Sequence, residues 1–135
     1  MIIHHQRITI IHQRRPVRQS LNEQLQWLGG SLGLFSLRDK DKSCFRIFIE
    51  LLKAAKMNHP VSSDELAEHL NLTRGTVVHH LNKLIESGIV VSDQNRYLLR
   101  VDSLEALIGD LANDFERASR ELKQVAREID EFLGL

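Results

Sequence analysis

The sequence predicts a mainly α-helical fold with one small β-hairpin. Three features predict it. Leucine, isoleucine and phenylalanine recur at steps of three and four through most of the chain. Only one pair of short β-rich runs, Ile89–Val91 and Arg96–Val101, flanks a polar turn. The run 102–135 holds an apolar spacing of alternating four and three without a miss.

Taken in order, residues 2–12 (IIHHQRITIIH) alternate weakly and read as a short strand ended by Pro16. Ile8 and Ile10 fall on one face, Arg7, Thr9 and Ile11 on the other. Such a strand needs a pairing partner. Residues 20–37 space Leu21, Leu25, Leu28, Leu32 and Phe35 like a helix, with Ser20 as cap and Glu23 at the capping-box position. Gly29, Gly30 and Gly33 weaken it, so the helix is expected to about residue 28. RDKDK (38–42) reads as a charged linker. Residues 43–57 form a helix with Phe45, Phe48, Leu52 and Ala55 on one stripe, stopped by Asn58, His59 and Pro60.

Val61 begins a short extended piece. Ser63 caps a helix with acids in its first turn, where the helix dipole favours them. Asn71-Leu72 turns the chain. Thr73 caps a further helix, RGTVVHHLNKLIES, which Gly88 closes. Leu66, Ala67 and Leu70 face inward, as do Val77, Leu81, Leu84 and Ile85. The hairpin follows, with Ser92–Asn95 as its turn. Helix, short strand, helix, turn, helix, strand, turn, strand is the order of a winged helix-turn-helix, the hairpin being the β wing. The final helix carries Leu104, Ile108, Leu111, Phe115, Ala118, Leu122, Val125, Ile129 and Phe132 as a coiled-coil seam. At ~1.5 Å per residue it extends on the order of 45 Å. It cannot bury that seam on its own domain, so it needs the same helix of a second subunit, the 20–37 helix, or both. Four parts are expected: a basic strand-like arm (1–19), a helix and charged linker (20–42), the winged helix-turn-helix (43–101) and a dimerisation helix (102–135).

The stretch VSSDELAEHLNLTRGTVVHHLNKLIESGIVVSDQNRYLLRV resembles the winged-helix domain of the ArsR-like transcription regulators, particularly those of archaea. Leu66-Ala67, Leu72-Thr73, Thr76-Val77, His80-Leu81 and the run Leu84 to Val90 carry the likeness, which covers about residues 43–101. The resemblance implies a homodimer that sets the third helix of each subunit in a major groove of double-stranded DNA, with the wing beside it. The final helix sits where that family often carries its dimerisation helix. The metal-sensing branch has a cysteine motif in its first DNA-reading helix; here Cys44 stands alone and earlier, so metal sensing is not implied. The residues before 43 do not match the family core.

On a helical wheel, Arg74, Gly75, Val78, His79, Asn82 and Glu86 face outward, with Lys83 at the edge. Arg74 suits guanine or a phosphate, Asn82 adenine, and Val78 a thymine methyl. Gly75 allows close backbone approach to a phosphate, and the first-turn N–H groups after Thr73 form a small anion site. Arg96 on the wing suits a backbone or a minor groove. Two cations on this helix neutralise few phosphates, and Asp64, Glu65 and Glu68 on the preceding helix oppose them. The arm residues Arg7, Arg14, Arg15 and Arg18, and the bases Lys40, Lys42, Arg46, Lys53 and Lys56, must therefore help.

The net charge of zero hides a gradient: +4 over residues 1–20 and −5 over 102–135. A basic arm suits a polyanion; an acidic helix does not. Hence a second reading, from another class: a winged-helix adaptor that binds RNA or a ribosomal subunit through the arm, after the manner of hibernation or dimerisation factors. No run of eighteen apolar residues and no secretory signal is readable, so a cytoplasmic protein without membrane contact is expected. One cysteine excludes an internal disulfide and a cysteine-based zinc site. Of seven histidines, His79 and His80 diverge by about 100° on a helix and cannot share an ion, and His80 is expected to pack inward. Neither GxSxG, HExxH nor GxxxxGK[ST] occurs, so no enzyme, metal or cofactor is expected.

Overall fold

The computed structural model describes residues 5–17 and 20–135. Five helices and three short strands follow in the order α1 (Leu21–Ser31), α2 (Ser43–Lys56), β1 (Val61–Ser62), α3 (Ser63–Leu70), α4 (Arg74–Ser87), β2 (Val90–Asp93), β3 (Arg96–Leu99) and α5 (Leu104–Leu133). The strands form one antiparallel sheet in the order β1-β3-β2, with Val61 opposite Tyr97 and Val91 opposite Leu98. This is the winged helix-turn-helix that the element order predicts. The wing turns on Gln94 and Asn95, at φ 50° and 63°. Two positive φ angles match the right-handed twist of the flanking strands.

Side-chain oxygens start four of the helices in the usual way: Ser20, Ser62, Thr73 and Ser103 each accept the N–H three residues on. The cap of α3 is thus Ser62, one residue before the serine expected, because its Oγ accepts the Glu65 N–H at 3.1 Å. Gly88, at φ 87°, closes α4 in the left-handed conformation that glycine adopts freely.

The core is built on α2, whose Ile47, Phe48 and Leu51 are fully buried, against Leu66, Val77, Leu81, Leu84, Ile89 and Val90. The buried stripe of α2 is rotated from the expected one. Leu52 and Ala55 are only half-buried, while Ile47 and Leu51 take the centre because helices and sheet enclose α2 from more than one side. Gly29 explains how α1 continues past residue 28: a Cβ there would lie 2.6 Å from the Phe45 ring, so the glycine admits the ring.

Two sequence expectations are overturned. No strand forms within residues 5–16. The arm runs extended across helix ends: Arg7 N–H donates to Glu86 O (3.0 Å) and Ile11 N–H to Ser31 O (2.7 Å). The last carbonyls of α4 and α1 lack intrahelical partners, so they replace the strand a paired arm would need. Gln6 and Ile8 are half-buried, whereas Ile10 is 63% exposed. Ile2, Ile3 and His4 of the expected strand lie outside the described residues.

Nor is 38–42 a mere linker. The Asp39 carboxylate accepts the Ser43 and Cys44 N–H groups at 2.9 and 3.0 Å, so it caps α2 from outside the helix. Lys42, at φ 55°, turns the chain to permit this.

Helix α5 packs on the domain through Leu107 (0% exposed), Leu111 (4%) and Asp114 (6%). Leu107 lies outside the expected seam. Past it, Phe115, Leu122, Val125, Ile129 and Phe132 are exposed, so neither α1 nor the domain covers that face.

Candidate nucleic-acid interface

Helix α4 is positioned from beneath by Val77, His80, Leu81 and Leu84, all buried. Its opposite face presents Arg74, Gly75, His79, Asn82 and Lys83 to solvent, with Val78 half-buried at its edge. A Cβ built on Gly75 meets nothing within 4 Å, so backbone can be approached there. Thr73 Oγ1 accepts the Thr76 N–H (3.2 Å) and bonds Thr76 Oγ1 (2.9 Å), which uses part of the anion site expected at this end. Glu86 does not join the open face. It is half-buried and lies 3.4 Å from both Arg7 Nε and His5 Nε2.

The remaining expected cations are dispersed. Arg7 is held at the C-terminal end of α4 by Glu86. Arg14 and Arg15 are exposed where the arm meets α1, and the Arg14 carbonyl accepts Trp27 Nε1–H at 3.1 Å. Arg18 lies outside the described residues. On the wing, Arg96 donates to Glu65 Oε1 at 2.9 Å and to the Pro60 carbonyl at 3.4 Å. The Arg96 guanidinium in turn holds the Glu65 carboxyl below its usual range, with His59 also 3.6 Å away. Arg74 Nε is 3.7 Å from Asp64 Oδ1, but both side chains are about three-quarters exposed, and such a pair yields readily to a better anion.

Beside α4, on the side away from α3, the Ser36–Ser43 segment encloses a shallow groove of about 730 Å³ with Gly75, Thr76, His79, His80 and Lys83. His80 is 7% exposed, as the helical wheel predicts. Its Nε2 lies 3.8 Å from Asp39 Oδ2, and its Nδ1 has no partner. Burial lowers the His80 pKa and Asp39 partly opposes that shift, so the ring is held toward its neutral form. Burial pushes the Asp39 carboxyl upward, but the N–H groups of Cys44 and Ser43 outweigh it and leave the pKa lowered. Burial, with Asp39 nearby, raises the Cys44 thiol to about 11, which leaves it protonated and inert.

Sequence reasoning missed Asp39, because a cap three residues ahead of the N-cap position falls outside the usual pattern. It also missed Arg100 and Asp114, which lie on separate elements. Among the described residues no cluster of histidine, cysteine and acidic side chains is placed to hold a metal ion, and no helix is long and apolar enough to cross a membrane.

No curated protein matches this chain. Residues 50–92, from the middle of α2 into β2, do match a family model, and the helix-turn-helix within them is similar to that of the bacterial regulatory proteins of the arsR family.

Proposed function

We propose that this protein is a homodimeric DNA-binding transcription regulator that reads the major groove of duplex DNA with α4. One observation carries the reading: within the stretch similar to the arsR family, the outward row Arg74, Gly75, His79, Asn82 and Lys83 stands open while the opposite row is buried. A helix seated this way offers one face of mixed donors at the spacing that base edges require. Val78 at its edge meets a thymine methyl. Arg96, once released from Glu65, and the arm residues Arg7, Arg14, Arg15 and Arg18 serve as phosphate contacts.

In this reading the chain divides into the arm (1–19), the α1 segment (20–42), the reading domain (43–101) and the dimerisation helix (102–135). The exposed seam of α5, from Phe115 to Phe132, pairs with a second copy, and two α4 helices then address half-sites about one helical turn apart. The resemblance does not extend to metal sensing or to catalysis. The adaptor reading rests on the same basic arm. Its Arg7 pairs with Glu86 while Arg14 and Arg15 are exposed, so the arm does not separate the two readings. The arsR-like stretch over residues 50–92 favours the DNA reading.

Selection of bound sequences from a random duplex library tests it. An enriched, two-fold symmetric motif is expected. Asn82→Ala then relaxes the preference at one base position per half-site, while Arg7→Ala weakens all sequences alike. No enrichment, together with equal binding by wild type and Asn82→Ala, rules the reading out.

A further inference from the structure

The two flanks of α4 are electrostatically unlike. One is α3, with Asp64, Glu65 and Glu68. The other is the Ser36–Ser43 segment, where Arg38 and Lys40 stand exposed near Lys83. Among the described residues none of these three cations forms an ion pair, whereas Arg7, Arg74 and Arg96 all do.

A helix seated in a major groove has a phosphate backbone on either side. An acidic flank repels that backbone; a basic flank attracts it. The groove between the segment and α4, about 730 Å³, borders the open face and shares Gly75, His79 and Lys83 with it. The acid best placed to oppose an anion there, Asp39, is turned inward: its side chain is 10% exposed and accepts two backbone N–H groups of α2. Asp41 remains exposed at the rim. In the groove wall His80, more than nine-tenths buried, carries a ring nitrogen that meets no protein partner.

We propose that one phosphodiester backbone of duplex DNA seats in the groove between the Ser36–Ser43 segment and α4, held by Arg38, Lys40 and Lys83. The seat rests on the reading of α4 as the DNA-contacting helix, and it lies mostly outside the stretch that matches the arsR family. It supplies cations that the face of α4 lacks. It also sets a basic edge, unpaired among the described residues, opposite the α3 edge, where Arg74 and Arg96 are paired with Asp64 and Glu65.

Binding of the full-length chain to a mixed-sequence duplex, followed by fluorescence anisotropy over a salt series, tests the seat. Arg38→Ala/Lys40→Ala is expected to weaken all duplexes alike. The slope of log affinity against log salt becomes shallower by about 0.9 for each phosphate that no longer meets a cation. Arg38→Glu/Lys40→Glu abolishes binding, and Lys123→Ala, an exposed lysine on α5, leaves it unchanged. Thermal midpoints equal to wild type show that the exposed substitutions leave the fold intact. If the double alanine variant keeps the wild-type slope while Asn82→Ala loses sequence preference, the seat is wrong and the reading of α4 stands. If wild type binds no duplex, the reading of α4 fails and the seat with it. Tighter binding to double-stranded RNA, lost in the same double variant, overturns the assignment to DNA.

Discussion

Asp114 of α5 and Arg100, at the exit of β3, form a two-pronged ion pair: one prong joins Nη1 to Oδ2 and the other joins Nη2 to Oδ1 at 3.1 Å. Only 4% of the Asp114 side chain is exposed, and Gln6 from the arm donates to the same carboxylate at 2.9 Å. One carboxylate therefore ties together the wing, the arm and the long helix. Arg117 adds a third partner at 2.5 Å.

Hydrogen bonding from Arg100 above all, then from Gln6 and the nearby charge of Arg117, lowers the Asp114 pKa to about 2. An unfolded aspartate titrates near ~3.9. The stabilisation is complete above that value and is lost as pH falls from about 4 to about 2. At neutral pH it is worth roughly 2 kcal/mol by linkage. Asp114→Asn should lose it, and should flatten the pH dependence of denaturant midpoints in that window. Asp114→Ala, which also leaves Arg100 without its partner, should cost about 3 kcal/mol. A wild-type-like acid profile in Asp114→Asn contradicts this role.

His80 gives the opposite end of the acid range. Burial lowers its pKa, and it faces Asp39 from the loop and His79 and Lys83 from its own helix. The unfolded imidazole titrates near ~6.5. The native state then binds fewer protons than the unfolded chain below that value, so stability declines as pH drops through it and levels off below the folded pKa. His80→Gln should remove this slope below about pH 6.5. Its persistence in the variant would assign the slope to another histidine.

How far the sequence reached is best seen in α4 and α5. In α4 the cap, the closing glycine and the period of 3.6 act within the helix itself, so Thr73, Gly88 and the buried row Val77, Leu81 and Leu84 could be read directly. In α5 the same period described two faces at once. Leu107 and Asp114 point to the domain because Leu111 and Arg100 hold the helix there, and no local pattern marks an aspartate as buried until its arginine is known. The arm shows the same limit. Isoleucine-rich alternation suggested a strand, yet the partners available to it are carbonyls at helix ends, which only the folded chain brings near. The face of α4 was legible as a face; the groove beside it was not, because its other wall comes from the 36–43 segment and Asp39 had to turn inward.

Gly75 separates stability from recognition. It lies in the first turn of α4 with open space above it, and Gly109 lies in the interior of α5, equally open. Alanine at either position should stabilise by about 0.5–1 kcal/mol, through helix propensity and a less flexible unfolded chain. Only Gly75→Ala places a methyl group on the proposed DNA-facing surface. Denaturant titration should show a gain in both variants, larger for Gly109→Ala, while DNA affinity falls in Gly75→Ala alone. Equal affinity in the two variants counts against close backbone approach at Gly75.

The exposed seam of α5 makes the last prediction. Leu122 is 70% exposed, Val125 52% and Ile129 51%, all on one side of a helix whose first turns are anchored in the domain. Covering a Leu side chain contributes roughly 1.5–3 kcal/mol, and a symmetric pair counts each residue twice. Leu122→Glu puts two carboxylates into the seam, so dimers should dissociate at micromolar concentration in the ultracentrifuge. The core built on Phe48, Leu51 and Leu81 lies apart from that seam, so the circular dichroism of the folded domain should persist. DNA affinity should then drop to that of a single reader. A wild-type chain that sediments as a monomer at the same concentration removes the dimer, and with it the paired half-sites.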